Sequence, residues 1–128
     1  MRILLDTHAF LWWANEPGQL SERVLNLCVS ESTDLLLSTA SLWEIQIKAQ
    51  IGKLELHQPL QRIVQSQQSG NGLQLLAISP VHVFELDSLP MRHKDPFDRI
   101  IIAQAKVENL SIVSKDALFK DYPVNILW

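Results

Sequence analysis

The sequence predicts an α/β fold, a single domain with a central parallel β-sheet and helices on both faces. Short, wholly apolar runs alternate with longer segments of helical periodicity, and those runs lack the alternation of a strand with one wet face. The length suits one compact unit over residues 1–128, with no internal repeat and no low-complexity tract. The balance of 47% hydrophobic and 20% charged residues is that of a chain able to bury its own core.

The elements follow in order. Residues 2–5 (RILL) form an apolar run ending at Asp6 and read as a buried strand. Residues 8–14 read as a helix, stopped by Glu16-Pro17-Gly18. Ser21 is a good N-cap for a helix to about Ser30, with Val24, Leu25 and Cys28 at helical spacing. Residues 35–38 read as a second buried strand, and 41–49 as a helix ending near Gly52. Pro59 starts a helix to about Gln67, and Ser69-Gly70-Asn71-Gly72 reads as a loop. Residues 73–78 are a strand, and Pro80 opens a short helix toward Leu86. Asp95-Pro96 begins the clearest helix, from Pro96 to about Glu108. A strand over 111–113, a short helix over 116–119 and a last strand over 124–127 complete the chain.

Composition excludes several classes. Cys28 is the only cysteine, which excludes a disulfide scaffold and fits a reducing compartment. The first apolar run meets Asp6 too soon for a signal peptide, and the longest uncharged run, 63–84, contains four glutamines and Asn71, so it does not span a membrane. A cytoplasmic protein is the expectation. Eleven basic against fourteen acidic residues leave a net charge of −3, which argues against a broad basic face for nucleic acid. The argument changes if four carboxylates hold cations, because eleven against ten then leaves +1.

Sites in parallel α/β sheets form beyond the carboxyl ends of the strands. Four acidic residues fall there: Asp6 after the first strand, Glu44 early in the helix after the second, Asp98 in the first turn of the helix at 96–108, and Asp116 three residues after the strand at 111–113. At about 4 Å, two like charges repel by roughly 4 kcal/mol at an effective dielectric near 20, so such a group keeps protons or binds cations. Carboxylates are hard ligands suited to Mg²⁺ or Mn²⁺. With one cysteine and no histidine pair at ligand spacing, nothing suggests zinc. Each residue also has a structural use. Asp6 and Asp116 can cap helices, Asp98 can complement a helix dipole, and Asp95 before Pro96 is a natural N-cap. Glu44, between Trp43 and Ile45, has no such ready use, and a carboxylate in that apolar setting needs a partner.

These residues, read as Leu4-Leu5-Asp6-Thr7-His8, Ser41-Leu42-Trp43-Glu44-Ile45, Asp95-Pro96-Phe97-Asp98-Arg99 with Ile100-Ile101-Ile102-Ala103-Gln104-Ala105, and Ser114-Lys115-Asp116, resemble the PIN domains. The resemblance covers essentially the whole chain and is nearest to the VapC-type toxins of bacterial toxin–antitoxin pairs. It implies a parallel sheet flanked by helices and metal-dependent ribonuclease activity with Mg²⁺ or Mn²⁺. It also implies a VapB-type antitoxin that covers the site, often by inserting a basic residue, and a homodimer. The acidic quartet carries onto Asp6, Glu44, Asp98 and Asp116, with Asp98 preferred over Asp95 because Asp98-Arg99 leads directly into the apolar helix. The family's hydroxyl residue carries onto Ser114, and Thr7 joins it as a candidate for a supporting hydrogen bond.

Arg99, Lys94 and Lys115 adjoin the third and fourth carboxylates, with Arg92 and His93 close by. They are candidate contacts to RNA phosphates or ordinary surface charge, and Arg99 can instead pair with Asp95. His8 follows Asp6 and reads first as a structural histidine, while His57, His82 and His93 have no evident partners. Of Trp12 and Trp13, one can stack on a base while the other packs inward, or both can serve packing. The competing reading is an inactive module of the same fold that binds RNA or an antitoxin without cleavage. Asp6-Thr7-His8 lacks the Asp-X-Asp of a phosphatase, and 35–37 leads into Ser38 rather than the acceptor Asp of a receiver, which sets both aside.

Overall fold

The computed structural model describes all 128 residues. Five parallel strands form one sheet in the order β3-β2-β1-β4-β5. They are β1 (Arg2–Leu5), β2 (Asp34–Ser38), β3 (Gln74–Leu76), β4 (Ser111–Val113) and β5 (Ile126–Leu127). Six helices surround them: α1 (Thr7–Asn15), α2 (Glu22–Val29), α3 (Thr39–Gln50), α4 (Leu60–Asn71), α5 (Pro80–Glu85) and α6 (Pro96–Glu108). No helix is long and apolar enough to cross a membrane.

The apolar runs are buried on both sides, as the absence of alternation required. Ile3, Leu5, Leu35, Leu37 and Val113 join Phe10 of α1, Val24 of α2 and Ile63 of α4 in one core. Leu4, Leu36 and Ile112 join Ile101 and Ile102 of α6 and Phe119 in a second core on the opposite face. The register sets Leu4 between Leu36 and Ile112 in the second core.

Several boundaries differ from the sequence expectation, each for a local reason. Residues 69–71 are not a loop but the last turn of α4. Ser69 returns its hydroxyl to the Gln65 carbonyl, and Asn71 bonds Gln67 at 2.7 Å, so these polar residues support the helix instead of breaking it. Only Gly72, at φ 68°, leaves helical geometry, and the amides of Gly72 and Leu73 then close onto the carbonyls of Gln68 and Gln67. Helix α3 starts two residues early because Ser38 caps it, accepting the Ala40 amide at 3.0 Å. The edge strands β3 and β5 are shorter than their apolar runs, each pairing on one side only. The helix expected at 116–119 is a 3-10 turn, Ala117–Asp121.

The central strand β1 has β2 on one flank and β4 on the other, so the chain winds outward in both directions from it. This is the topological switch point, where connecting loops part and leave a crevice at the carboxyl ends of the strands.

Candidate metal centre

The amide of Asp6 donates to the Val113 carbonyl at 3.1 Å, joining the ends of β1 and β4 at the switch point. Asp6 caps α1, its Oδ1 accepting the Ala9 amide at 2.7 Å, and is only 5% exposed. Ser114, directly after β4, is buried beside the same carboxylate and favours its charged form, while its Oγ accepts the Asp116 amide at 3.0 Å. One buried hydroxyl thus sits beside two of the four acids. Burial pushes the Asp6 carboxyl above its ordinary range against those influences, and the charge of Asp116 pushes the same way.

Glu44 points inward from α3 and is 4% exposed. Its Oε1 accepts the Thr7 hydroxyl at 2.7 Å, with the Ser41 Oγ 3.0 Å from that hydroxyl. Its Oε2 meets the Lys48 ammonium at 2.8 Å, one helical turn on. Sequence reasoning required a partner for Glu44 without naming one, and Lys48 at i+4 supplies it.

Asp95 caps α6, with Oδ1 accepting the amides of Phe97 and Asp98. Asp98 is thereby freed from capping and aims at the crevice. Its carboxyl is raised to about 7 by burial first and by the charge of Asp95 next, with Glu44 and Asp6 adding to the rise; these outweigh the pull of His93. Asp116 caps the turn at Ala117–Asp121 through Oδ1, which accepts the Leu118 amide at 2.9 Å. Of the structural uses weighed for these acids, capping is therefore taken by Asp6, Asp95 and Asp116, while Asp98 caps nothing.

His93 is the residue that sequence reasoning missed. Its Nε2 lies 2.9 Å from Asp98 Oδ2 and 3.3 Å from Asp116 Oδ2. These three atoms lie within 4.8 Å of one another. No spacing signal relates His93 to Asp116, and only the position of His93 two residues before an N-cap hinted at it. His82 also has a partner, Glu108 at 2.9 Å, on the far side of α6.

Arg99 departs from its expected place. It is 9% exposed, so it meets neither phosphate nor Asp95. Its Nη1 donates to the Pro90 carbonyl at 2.9 Å and approaches the Tyr122 hydroxyl at 3.3 Å, and its Nη2 reaches the Leu86 carbonyl. It staples the 86–95 segment to α6. Lys94 and Lys115 are exposed, and Lys115 lines a cleft of about 340 Å³ with Asp6, His8, Trp12 and Asp116. Trp12 lines this cleft between His8 and Trp128, and both Trp12 and Trp13 lean on the core.

The donor set fits a hard divalent cation. Carboxylate oxygens of Asp98 and Asp116 lie together beside His93, Asp6 and Glu44 are near enough for their charges to act on Asp98, and burial with this repulsion raises the Asp6 and Asp98 carboxyls. A bound cation relieves that repulsion.

The family model of the PIN domain matches residues 3–125. The chain is a PIN domain. Among curated proteins it is similar to Ribonuclease VapC22 of Mycobacterium tuberculosis, with 26% identity over 121 residues, covering 94% of this chain and 91% of that protein. Its fold is that of VapBC2 from Rickettsia felis, solved with a promoter DNA fragment (TM-score 0.76, 19% identity, covering 99% and 98% of the two chains). It is likewise that of FitAcB from Neisseria gonorrhoeae (TM-score 0.64, 22% identity, 98% and 96%). This PIN domain has the parallel sheet and flanking helices that the resemblance implied.

Proposed function

We propose that this PIN domain is a metal-dependent endoribonuclease and the toxin of a toxin–antitoxin pair, working in the cytoplasm with Mg²⁺ or Mn²⁺. The observation that carries the proposal is the clustering of Asp98 and Asp116 beside His93, with buried Asp6 at the end of β1 on the same switch point and the charge of Glu44 acting on Asp98. The similarity to Ribonuclease VapC22 supports the substrate class. The fold shared with VapBC complexes supports a VapB-type antitoxin as partner, and a homodimer is proposed with it.

Asp6, Asp98 and Asp116 would hold a divalent cation, which would supply the acidity to activate a water and the charge neutralisation for an in-line phosphodiester displacement to a 5′-phosphate and a 3′-hydroxyl. Ser114, beside Asp6, holds the backbone of Asp116 in place. Thr7 and Lys48 hold Glu44 by one oxygen each, which orients it to ligate or to align the attacking water. Lys115 at the cleft and Lys94 on the neighbouring loop supply positive charge for the RNA backbone.

The test is incubation of total cellular RNA with the purified protein in Mg²⁺ or Mn²⁺, beside EDTA. Discrete cuts that require the metal are expected. An absence of cleavage across transfer, ribosomal and messenger RNA would favour the inactive binding module.

A further inference from the structure

The cluster of His93, Asp98 and Asp116 has the spacing of a three-residue metal site. The hydrogen bonds of the histidine exclude that reading. A backbone amide is always a donor, and the Asp95 amide points at His93 Nδ1 from 3.2 Å. Nδ1 therefore carries the lone pair, and in the neutral ring the proton sits on Nε2. A metal-ligating histidine has the opposite arrangement, donating its second N–H to an acceptor so that the ligating nitrogen has a free pair. Here Nε2–H is directed at Asp116 Oδ2, 3.3 Å away, and Nε2 also lies 2.9 Å from Asp98 Oδ2.

The ring is also fixed in place. Its amide donates to the Tyr122 hydroxyl at 2.7 Å, and Phe119 packs against it with ring centroids 5.8 Å apart. Tyr122 is in turn within 3.3 Å of Arg99 Nη1, which holds the Pro90 carbonyl of the same loop. The buried Arg99 thus acts on the site at one remove, by setting the loop that carries His93.

We infer that His93 is a positioning residue that hydrogen-bonds Asp116, packs its Nε2 against Asp98, and so fixes both carboxylates for the cation without ligating it. This rests on the proposed metal site. The Asp116 oxygen that accepts from His93 keeps a second lone pair, so the contact orients the acid without consuming it.

Mn²⁺ is the probe. Pulsed electron paramagnetic resonance of the Mn²⁺-loaded protein should show no directly coordinated imidazole ¹⁴N. Mn²⁺ binding should weaken about 10- to 100-fold in His93→Ala, the usual consequence of losing an outer partner, and by no more than about threefold in His93→Gln, which keeps a donor near Nε2. A strong ¹⁴N coupling in the unaltered protein, lost in His93→Gln, would overturn the inference while leaving the metal site intact. Unchanged Mn²⁺ affinity in a folded His93→Ala would overturn it as well. Should His93→Ala fail to fold, the coupling measurement and His93→Gln still decide. A protein that binds no Mn²⁺ at all would overturn both the site and the inference.

Discussion

Replacing Asp98 by Asn should stabilise the metal-free protein at high pH. The Asp98 carboxyl is raised from its ordinary 3.8 to about 7, chiefly by burial, and its side chain is 19% exposed. A carboxyl raised in the folded state binds its proton more tightly there than in the unfolded chain. Its contribution to stability is full below about pH 4 and is lost as pH rises through about 7. Between pH 5 and pH 8 this loss integrates to about 3 kcal/mol at 1.36 kcal/mol per unit. Asn is neutral at every pH and nearly the same size. Urea unfolding in EDTA should therefore find Asp98→Asn close to the unaltered protein at pH 5 and more stable by about 3 kcal/mol at pH 8. Saturating Mn²⁺ should reverse the order, because only the unaltered site gains from the cation. If Asp98→Asn is no more stable at pH 8 in EDTA, and the pH slope is unchanged, the claim that these carboxylates repel one another in a buried site is wrong.

Other outcomes separate structural from chemical uses. Asp95→Asn should retain metal-dependent cleavage within a few-fold, since Asn caps helices as well as Asp; a rate assay at saturating Mn²⁺ checks this. Lys48→Met should cost the metal-free protein about 1 kcal/mol in urea unfolding. That is less than breaking a fully buried ion pair, because the lysine side chain is 39% exposed and screened. Arg99→Ala should lower stability by about 2 kcal/mol through its orphaned carbonyls without changing the salt dependence of RNA binding. Lys115→Ala should instead reduce the slope of log affinity against log salt by about 1.

The strands and most helices were legible because their signals are local. Residues 3–5 and 112–113 are continuous apolar runs, and Asp95-Pro96 fixes the start of α6 to the residue. The loop expected at 69–72 failed because Gly72 marks the end of a helix, and Ser69 and Asn71 satisfy themselves within it. The four candidate carboxylates were chosen by the rule that places sites at strand ends. Their partners were less legible. Lys48 lay at i+4 from Glu44 and was open to a helical reading, but Thr7 reaches the same carboxylate from a different element. His93 and Arg99 exchanged their expected places for a tertiary reason. The 86–95 segment folds over α6, burying the arginine under the loop and turning the histidine into the acids. Neighbourhood in sequence gave no sign of which of the two faces the crevice.

The most direct test of the account compares Asp6→Asn with the unaltered protein, measuring Mn²⁺ bound and RNA cleaved in the same samples. Asn keeps the cap on α1, so the thermal unfolding profile in EDTA should not fall. The account predicts that Mn²⁺ binding and cleavage are lost together in a folded protein. Cleavage that persists in Asp6→Asn, or in the unaltered protein with EDTA, would contradict it.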